Sequence, residues 1–416
     1  MLDQNTDRMW YVIGAVLIGA AIIGGFMFFM PEAFSSVGGM FDDLIGIVNY
    51  DPKREEIEGL ITEGYIPVAT ADELDSIRSA TSKTYGKGTE WEKEYTGGLG
   101  KKYIQVKDID LSEYSDEGWN PIGTGSSYFR GTYDGGNYVI TGLVVNGGDK
   151  NYQGLFGRTQ GATISNVGII DNTVTGRQNV GGLVGEANTS TEISNSYATG
   201  SVTGKEFVGG LVGRADAGTK ISNSYATGSV TGSGTQGRVG GLVGAAASRT
   251  TISNSYATGS VTGKNWVGGL VGFANISTTI SNSYATGSVK GTSYLGGLVG
   301  QIGNNTTINN SYATGSVTGT GFSGGLVSWV DGSTIENSYA TGLVTGNSSS
   351  GGLVGYTNSS TEISNSYWDT ETTGRAKPVS GGTGKSTVDM KKQTTYEGWD
   401  FETIWEIDGN DYPTLR

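Results

Sequence analysis

The sequence predicts an all-β chain: a parallel β-helix (solenoid) with a long hydrophobic N-terminal α-helix and short terminal caps. Three observations predict it. From Val180 to Thr370 the chain repeats G-G-L-V-G, about ten variable residues, and I-S-N-S-Y-A-T-G-S-V-T-G. The Gly-Gly doublets open at Gly181, Gly209, Gly240, Gly268, Gly296, Gly324 and Gly351, in steps of 28, 31, 28, 28, 28 and 27 residues. A fixed period in this range marks one supersecondary unit, copied and stacked. Second, the unit is built of Gly, Ser, Thr, Asn, Val and Tyr, and it lacks the helix formers that a helical repeat needs at 3.6-residue spacing. Third, Met9 to Met30 is an unbroken apolar run.

Residues 1–49 form the hydrophobic N-terminal element. The 22 residues from Met9 to Met30 carry no charge, and as a helix they span about 33 Å, enough to cross a bilayer. Trp10 and Tyr11 stand where an aromatic belt would sit; Ile13, Val16, Leu17, Ile22, Phe26, Phe28 and Phe29 supply the apolar body. A cleaved signal peptide fits less well, because the run is too long and the leader is not basic. Arg8 before the span, with Glu32, Asp42 and Asp43 after it, orients the N-terminus to the cytoplasm and the repeats outward. Pro31 kinks or ends the helix. Beyond it Phe34, Val37, Phe41, Leu44, Ile45 and Val48 recur at helical spacing, as a membrane-surface helix or as one long kinked rod. That layout resembles type IV pilins and related filament subunits. It departs from them in having no basic leader ending in Gly, and Asn5 where mature pilins have an acid.

Residues 50–65 are charged and read as a linker or short helix; residues 66–153 read as an N-terminal cap with starter coils. Thr70 followed by Glu73 is a capping box and predicts a helix from Ala71 to Ala80 over the open end of the solenoid. Residues 154–370 are the repeats, with Gly154-Leu155-Phe156-Gly157 a degenerate first copy. Short β-branched runs broken by Gly, Asn and Ser predict about three short strands per unit. Stacking then places Leu183, Leu211, Leu242, Leu270, Leu298, Leu326 and Leu353 in one interior column, Ile193 and its copies in a second, and Val202 and its copies in a third. Tyr197 and its copies form an aromatic ladder and Asn195 and its copies an amide ladder; alternation alone leaves their inward or outward orientation open.

Gly182-Leu183-Val184-Gly185 and its copies resemble the GLUG motif, a repeat family of bacterial and archaeal surface and secreted proteins. The resemblance runs from about residue 66 to 416. It implies a β-helical, exported, mostly non-catalytic module, and it carries no catalytic residue set. In the tail, residues 371–416, the pattern M-…-G-W-D-F-…-W-…-Y-P-T-L resembles the closing segment of that family. Its expected role is to cover the strand edges and core exposed by the last coil.

Composition narrows function. A net charge of −13 argues against nucleic acid, which wants basic stripes. The chain has no cysteine and no histidine, so disulfides, thiolate metal sites and the commonest general base are absent. Asp108, Asp110, Asp116 and Glu117 are the densest acids near the starter coils; Ca²⁺ is the ion they would suit, against a solvated turn. No other cofactor is indicated. Gly384-Lys385-Ser386 ends like a phosphate loop but has Val379 at the required upstream glycine, and Gly232, Gly234 and Gly237 fall in the three-residue insertion between repeats and read as a loop. Parallel β-helices also house polysaccharide lyases and hydrolases, yet the repeat acids are scattered: Glu192 and Glu362 share a position about six coils, roughly 29 Å, apart. No enzyme is expected.

Three variable segments put an aromatic at one position, Phe207, Trp266 and Tyr294. These rings either form a strip for surface glycans or proteins, or simply cover a coil corner. Asn188, Asn275, Asn304, Asn305, Asn309, Asn347 and Asn358 each begin an N-x-S/T sequon, in part by chance in so Asn- and Ser-rich a chain. The sequence thus predicts a surface structural or adhesive solenoid tethered through membrane lipid by its N-terminal helix. The rival is a pilus-like filament subunit that self-associates through that helix, with the solenoids outside.

Overall fold

The computed structural model describes residues 52–416. The hydrophobic element expected over residues 1–49, including Trp10, Tyr11, Ile13, Val16, Leu17, Ile22, Phe26, Phe28 and Phe29, lies outside the described residues. Among the described residues no helix is long and apolar enough to cross a membrane. A helix of 11 residues spans Pro52–Thr62.

Residues 60–416 hold a series of short strands wound into stacked coils, all paired in parallel except two small hairpins. Among the described residues, two sheets have 11 strands, and three have eight, seven and six. A full coil therefore carries five strands, not three. One coil runs through Gln178–Gly181, Val184–Asn188, Glu192–Ser194, Tyr197–Ala198 and Ser201–Gly204. The extra corners come from the diglycine and from asparagine. Asn195, Asn223, Asn254 and Asn282 all have left-handed backbone, φ 49°, 50°, 49° and 47°, a region that Asn tolerates better than other L-residues. Each corner breaks strand alternation, so the asparagines face out while the next alanine faces in.

Register is strict. Ile193 pairs with Ile221, Tyr225 with Tyr256, and Val230 with Val261. The Ile, Leu and Val columns are buried and form one continuous core with the alanines of each Tyr-Ala pair. The diglycine exists for that core. A Cβ on Gly269 would overlap the Gly297 carbonyl oxygen of the next coil and lie 2.8 Å from the Ala285 Cβ across the interior. Gly and Ala thus meet face to face inside the rod.

Polar ladders knit the coils. The amide of Asn254 donates to Asn223 Oδ1 at 3.2 Å, and that of Asn282 to Asn254 Oδ1 at 3.1 Å. The serine after each corner asparagine is buried. Ser255 Oγ donates to Ser253 O at 2.7 Å and accepts from the Ser224 N–H at 3.2 Å. Each such bond contributes about 1 kcal/mol and leaves no buried backbone donor orphaned at the corner. The tyrosine rings face outward and stack at 4.7–5.0 Å with their planes nearly parallel.

The ends differ from expectation. The N-terminal helix spans only Ala71–Ser76, because Ile77 turns into the core beside Leu74. Thr70 caps it, accepting from the Glu73 N–H. The buried Glu73 carboxylate reaches past the helix to the N–H groups of Ala69, Gly86 and Lys87 at 2.7, 3.0 and 2.9 Å. At the far end, Trp368 takes the place of the repeat alanine and fills the last coil opposite Gly352, its Nε1 donating to Arg375 O at 2.7 Å. Residues around Gly381 and Gly382 lie over Ile363 and Leu353, and the strand Thr383–Lys385 pairs with Tyr367–Asp369. The rest of the tail folds back along the flank. Met390, Tyr396, Trp399 and Trp405 bury Tyr312, Tyr339 and Tyr367 in a second apolar cluster. Tyr339 Oη donates to Pro413 O, and Tyr412 Oη to Asp369 Oδ2, both at 2.6 Å.

Candidate functional site: an aromatic and basic strip

Phe207, Trp266 and Tyr294 occupy the second position of the strands Glu206–Gly209, Asn265–Gly268 and Ser293–Gly296. All three have left-handed backbone, φ 54°, 51° and 58°. For a bulky L-residue this costs roughly 1–2 kcal/mol each. The pairs on either side stay registered, Asn265 with Ser293 and Val267 with Leu295, so the unpaired ring is turned out of the sheet and left half-buried.

The structure brings these residues into one ladder and adds members. Trp266 stacks on Tyr294 at 5.6 Å and Tyr294 on Phe322 at 5.7 Å. Phe207 does not touch Trp266, because Arg238 takes the rung between them. Its guanidinium lies 5.1 Å from each ring and 5.3 Å from Phe273. Burial lowers the Arg238 pKa from its ordinary value, against the opposing pull of Glu206.

A second outward column lies alongside, three residues after each repeat leucine. Its registered members are Glu186, Arg214, Ala245, Phe273, Gln301, Trp329 and Tyr356. Trp329 stacks on Tyr356 at 4.0 Å and packs edge-on against Tyr294 and Phe322. Trp266 Nε1 donates to Gln301 Oε1 at 2.6 Å. Phe322, Phe273, Trp329 and Tyr356 went unnoticed in the sequence. Their signal was there: Phe322 also sits two residues before a diglycine, and the other three share the offset from leucine.

Three acids along the rod are held in ion pairs. Glu186 pairs with Arg158 at 2.6 Å, Asp216 with Arg214 at 2.6 Å, and Glu192 with Lys220 at 2.8 Å. Asp108 accepts from the Val139 N–H and Asp110 from the Ser112 N–H, both at 2.9 Å, so these carboxylates serve backbone turns. Among the described residues no three acidic side chains are grouped to hold a metal ion. Gly384 and Lys385 lie in a strand paired with Trp368 and Asp369, which rules out a phosphate loop. Gly234 and Gly237 form the insertion loop, whose Thr235 carbonyl accepts from Asn265 Nδ2 at 2.8 Å. A separate cleft of about 460 Å³ lies between the tail and the ladders, lined by Asn254, Tyr256, Asn282, Thr403 and Arg416.

Comparison with known proteins agrees with this architecture. The family model described as the GLUG motif matches residues 176–203, 208–231, 235–262 and 291–318. A protein of Evansella cellulosilytica, provisionally named a Gly-rich membrane protein, is 40% identical over 103 residues, 24% of this chain and 10% of its own length. Halomucin of Haloquadratum walsbyi is 34% identical over 90 residues, 20% of this chain and 1% of its own length. The matched stretches are thus small parts of both relatives. In fold, the chain is similar to a Bacteroides ovatus protein provisionally named an immunoglobulin A1 protease. The TM-score is 0.52 at 20% identity, over 84% of this chain and 91% of that one. With four motif matches in register on a parallel β-solenoid, the chain is a GLUG-repeat protein.

Proposed function

We propose that this chain is a non-catalytic surface rod, held at the cell boundary by its apolar N-terminal segment and displayed outside, where its aromatic strip contacts a partner. The observation that carries the reading is the joining of an uncharged 22-residue run to a continuous solenoid in which the repeat carboxylates Glu186, Glu192 and Asp216 are each engaged by a neighbouring cation. The names of the two curated relatives, a Gly-rich membrane protein and a halomucin, favour a surface location. Adhesion and structural spacing are both served by a rigid rod that keeps one flank free. The test is protease shaving of intact cells, with mass spectrometry of released peptides and electron microscopy of sheared material. Release of repeat peptides, with residues 9–30 retained in the membrane, is expected. A chain wholly protected inside the cell refutes the reading, and uniform sheared filaments containing the chain replace the tether with a filament subunit.

A further inference from the structure

The charge of the chain is unevenly distributed. Between Asp216 and Asp331 there is no acidic residue, whereas Lys220, Arg238, Arg249, Lys264 and Lys290 fall in that stretch. The net −13 therefore resides elsewhere, and the middle coils are locally basic. Two of the cations adjoin the aromatic strip. Arg238 is a rung of it, and exposed Lys264 stands two residues before Trp266, at the corner where Lys205 stands before Phe207. Lys205 pairs with Asp149 at 2.6 Å. Arg238 has no carboxylate within ion-pair distance; its one protein hydrogen bond is from Nη1 to Gln236 O at 3.3 Å. A guanidinium set between two rings, 5.1 Å from each, is confined in position and keeps most of its five donors unspent.

The rings also limit what can bind. Trp266, Tyr294 and Phe322 cover one another's faces, so a sugar cannot lie flat on them. What they present is their edges, the positive rim of the ring quadrupole, which attracts oxygen. Around them stand amides and hydroxyls: Gln236, Asn265, Ser293 and Gln301. Fixed positive charge, oxygen-seeking ring edges and many neutral hydrogen-bonding groups, laid out in a line along the rod, fit a linear polymer that is rich in hydroxyls and bears carboxylates. Resting on the surface reading above, we propose that the Arg238 strip binds a carboxylate-bearing polysaccharide, with Arg238 forking onto a uronate carboxylate and the flanking amides holding hydroxyls.

The probe is a polygalacturonate oligosaccharide, with a neutral dextran of equal length and a short DNA duplex for comparison. All three are presented to the detergent-solubilised full chain by biolayer interferometry. Polygalacturonate alone is expected to bind. Arg238→Gln is expected to weaken it about tenfold or more, whereas Arg249→Gln, on another corner of the same coil, leaves affinity within about twofold. If melting shows that Arg238→Gln unfolds, Arg238→Lys keeps the stem and charge but loses the fork, and a several-fold loss is expected. No binding of polygalacturonate, equal binding of dextran or DNA, an equal loss in Arg249→Gln, or unchanged affinity in Arg238→Lys overturns the proposal. A chain that shaving places on the surface but that fails to bind polygalacturonate refutes this inference and leaves the surface reading standing.

Discussion

Trp368→Ala restores the residue that every other repeat carries, so by consensus it should stabilise, commonly by ~0.5–2 kcal/mol. The structure predicts the opposite sign. Trp368 is 1% exposed, sits opposite Gly352, and closes the apolar interior where only the short strand Thr383–Lys385 pairs beyond it. A buried aromatic removes 150–250 Å² from water, roughly 4–6 kcal/mol at ~25 cal/mol per Å². Measured Trp-to-Ala losses run ~3–5 kcal/mol because sites partly collapse. Losing the donor to the Arg375 carbonyl adds about 1 kcal/mol. We expect ~3–5 kcal/mol, and we expect it locally, since coils of a solenoid couple chiefly to their neighbours. Hydrogen–deuterium exchange with peptide resolution reads this directly. Amides from Tyr339 to Lys385 should exchange roughly two to three orders of magnitude faster, and those from Ile164 to Tyr225 should not change. Unchanged or slower exchange at the C-terminal end, or uniform acceleration along the rod, would refute the plug.

Other outcomes follow from the same geometry. Gly269→Ala forces a Cβ into the Gly297 carbonyl and the Ala285 methyl; a loss of at least ~3 kcal/mol in urea unfolding is expected, and wild-type stability would show that the coils can part. Asn254→Ala loses a left-handed corner and its ladder bonds, at ~1–3 kcal/mol, with Asn254→Gly recovering part of it. The Asp369 carboxyl is raised by burial but held below its usual range overall by hydrogen bonds from Tyr412 Oη, the Thr372 and Glu371 N–H groups and Thr387. Its stabilisation is therefore complete above the unfolded value near ~4 and lost as pH falls further, so tail Trp fluorescence should shift in that window and Asp369→Asn should flatten the response. Burial, then Asp369, pushes the Tyr412 pKa up to about 12; the neutral phenol stabilises fully below ~10, and the tail should loosen as pH rises from there, an effect reduced in Tyr412→Phe but not removed, because burial also raises Tyr312, Tyr339, Tyr367 and Tyr396.

The repeat registers were legible because a stacked coil writes its contacts as a period. Ile193 above Ile221 follows from spacing alone. The number of strands per coil was not, because a corner at Asn195 depends on a single left-handed residue rather than on a break in composition. The aromatic strip was half legible. Phe207, Trp266 and Tyr294 share an offset from the diglycine, but their partners Phe273, Trp329 and Tyr356 come from a different strand, and only the bend of the coil sets the two columns side by side. Arg238 was hidden by the insertion that precedes it. The tail was least legible, since Trp399 and Trp405 have no period, and the sequence does not say whether they sit on the end of the rod or along its side.

Within the tyrosine ladder the tail packs on Tyr312, Tyr339 and Tyr367, with Tyr284 at its margin, faces Tyr256 across a cleft, and leaves Tyr197 and Tyr225 uncovered. Its packed footing is thus three rungs deep, and the coils before Asn223 lie beyond its reach. A 28-residue cassette can be copied into or cut from the coils ahead of Asn223 without disturbing the closure at either extremity. Reach then becomes a quantity that unequal recombination between near-identical repeats adjusts in steps of one coil. The molecule behaves as a telescoping gauge whose two fittings stay the same while the shaft changes length.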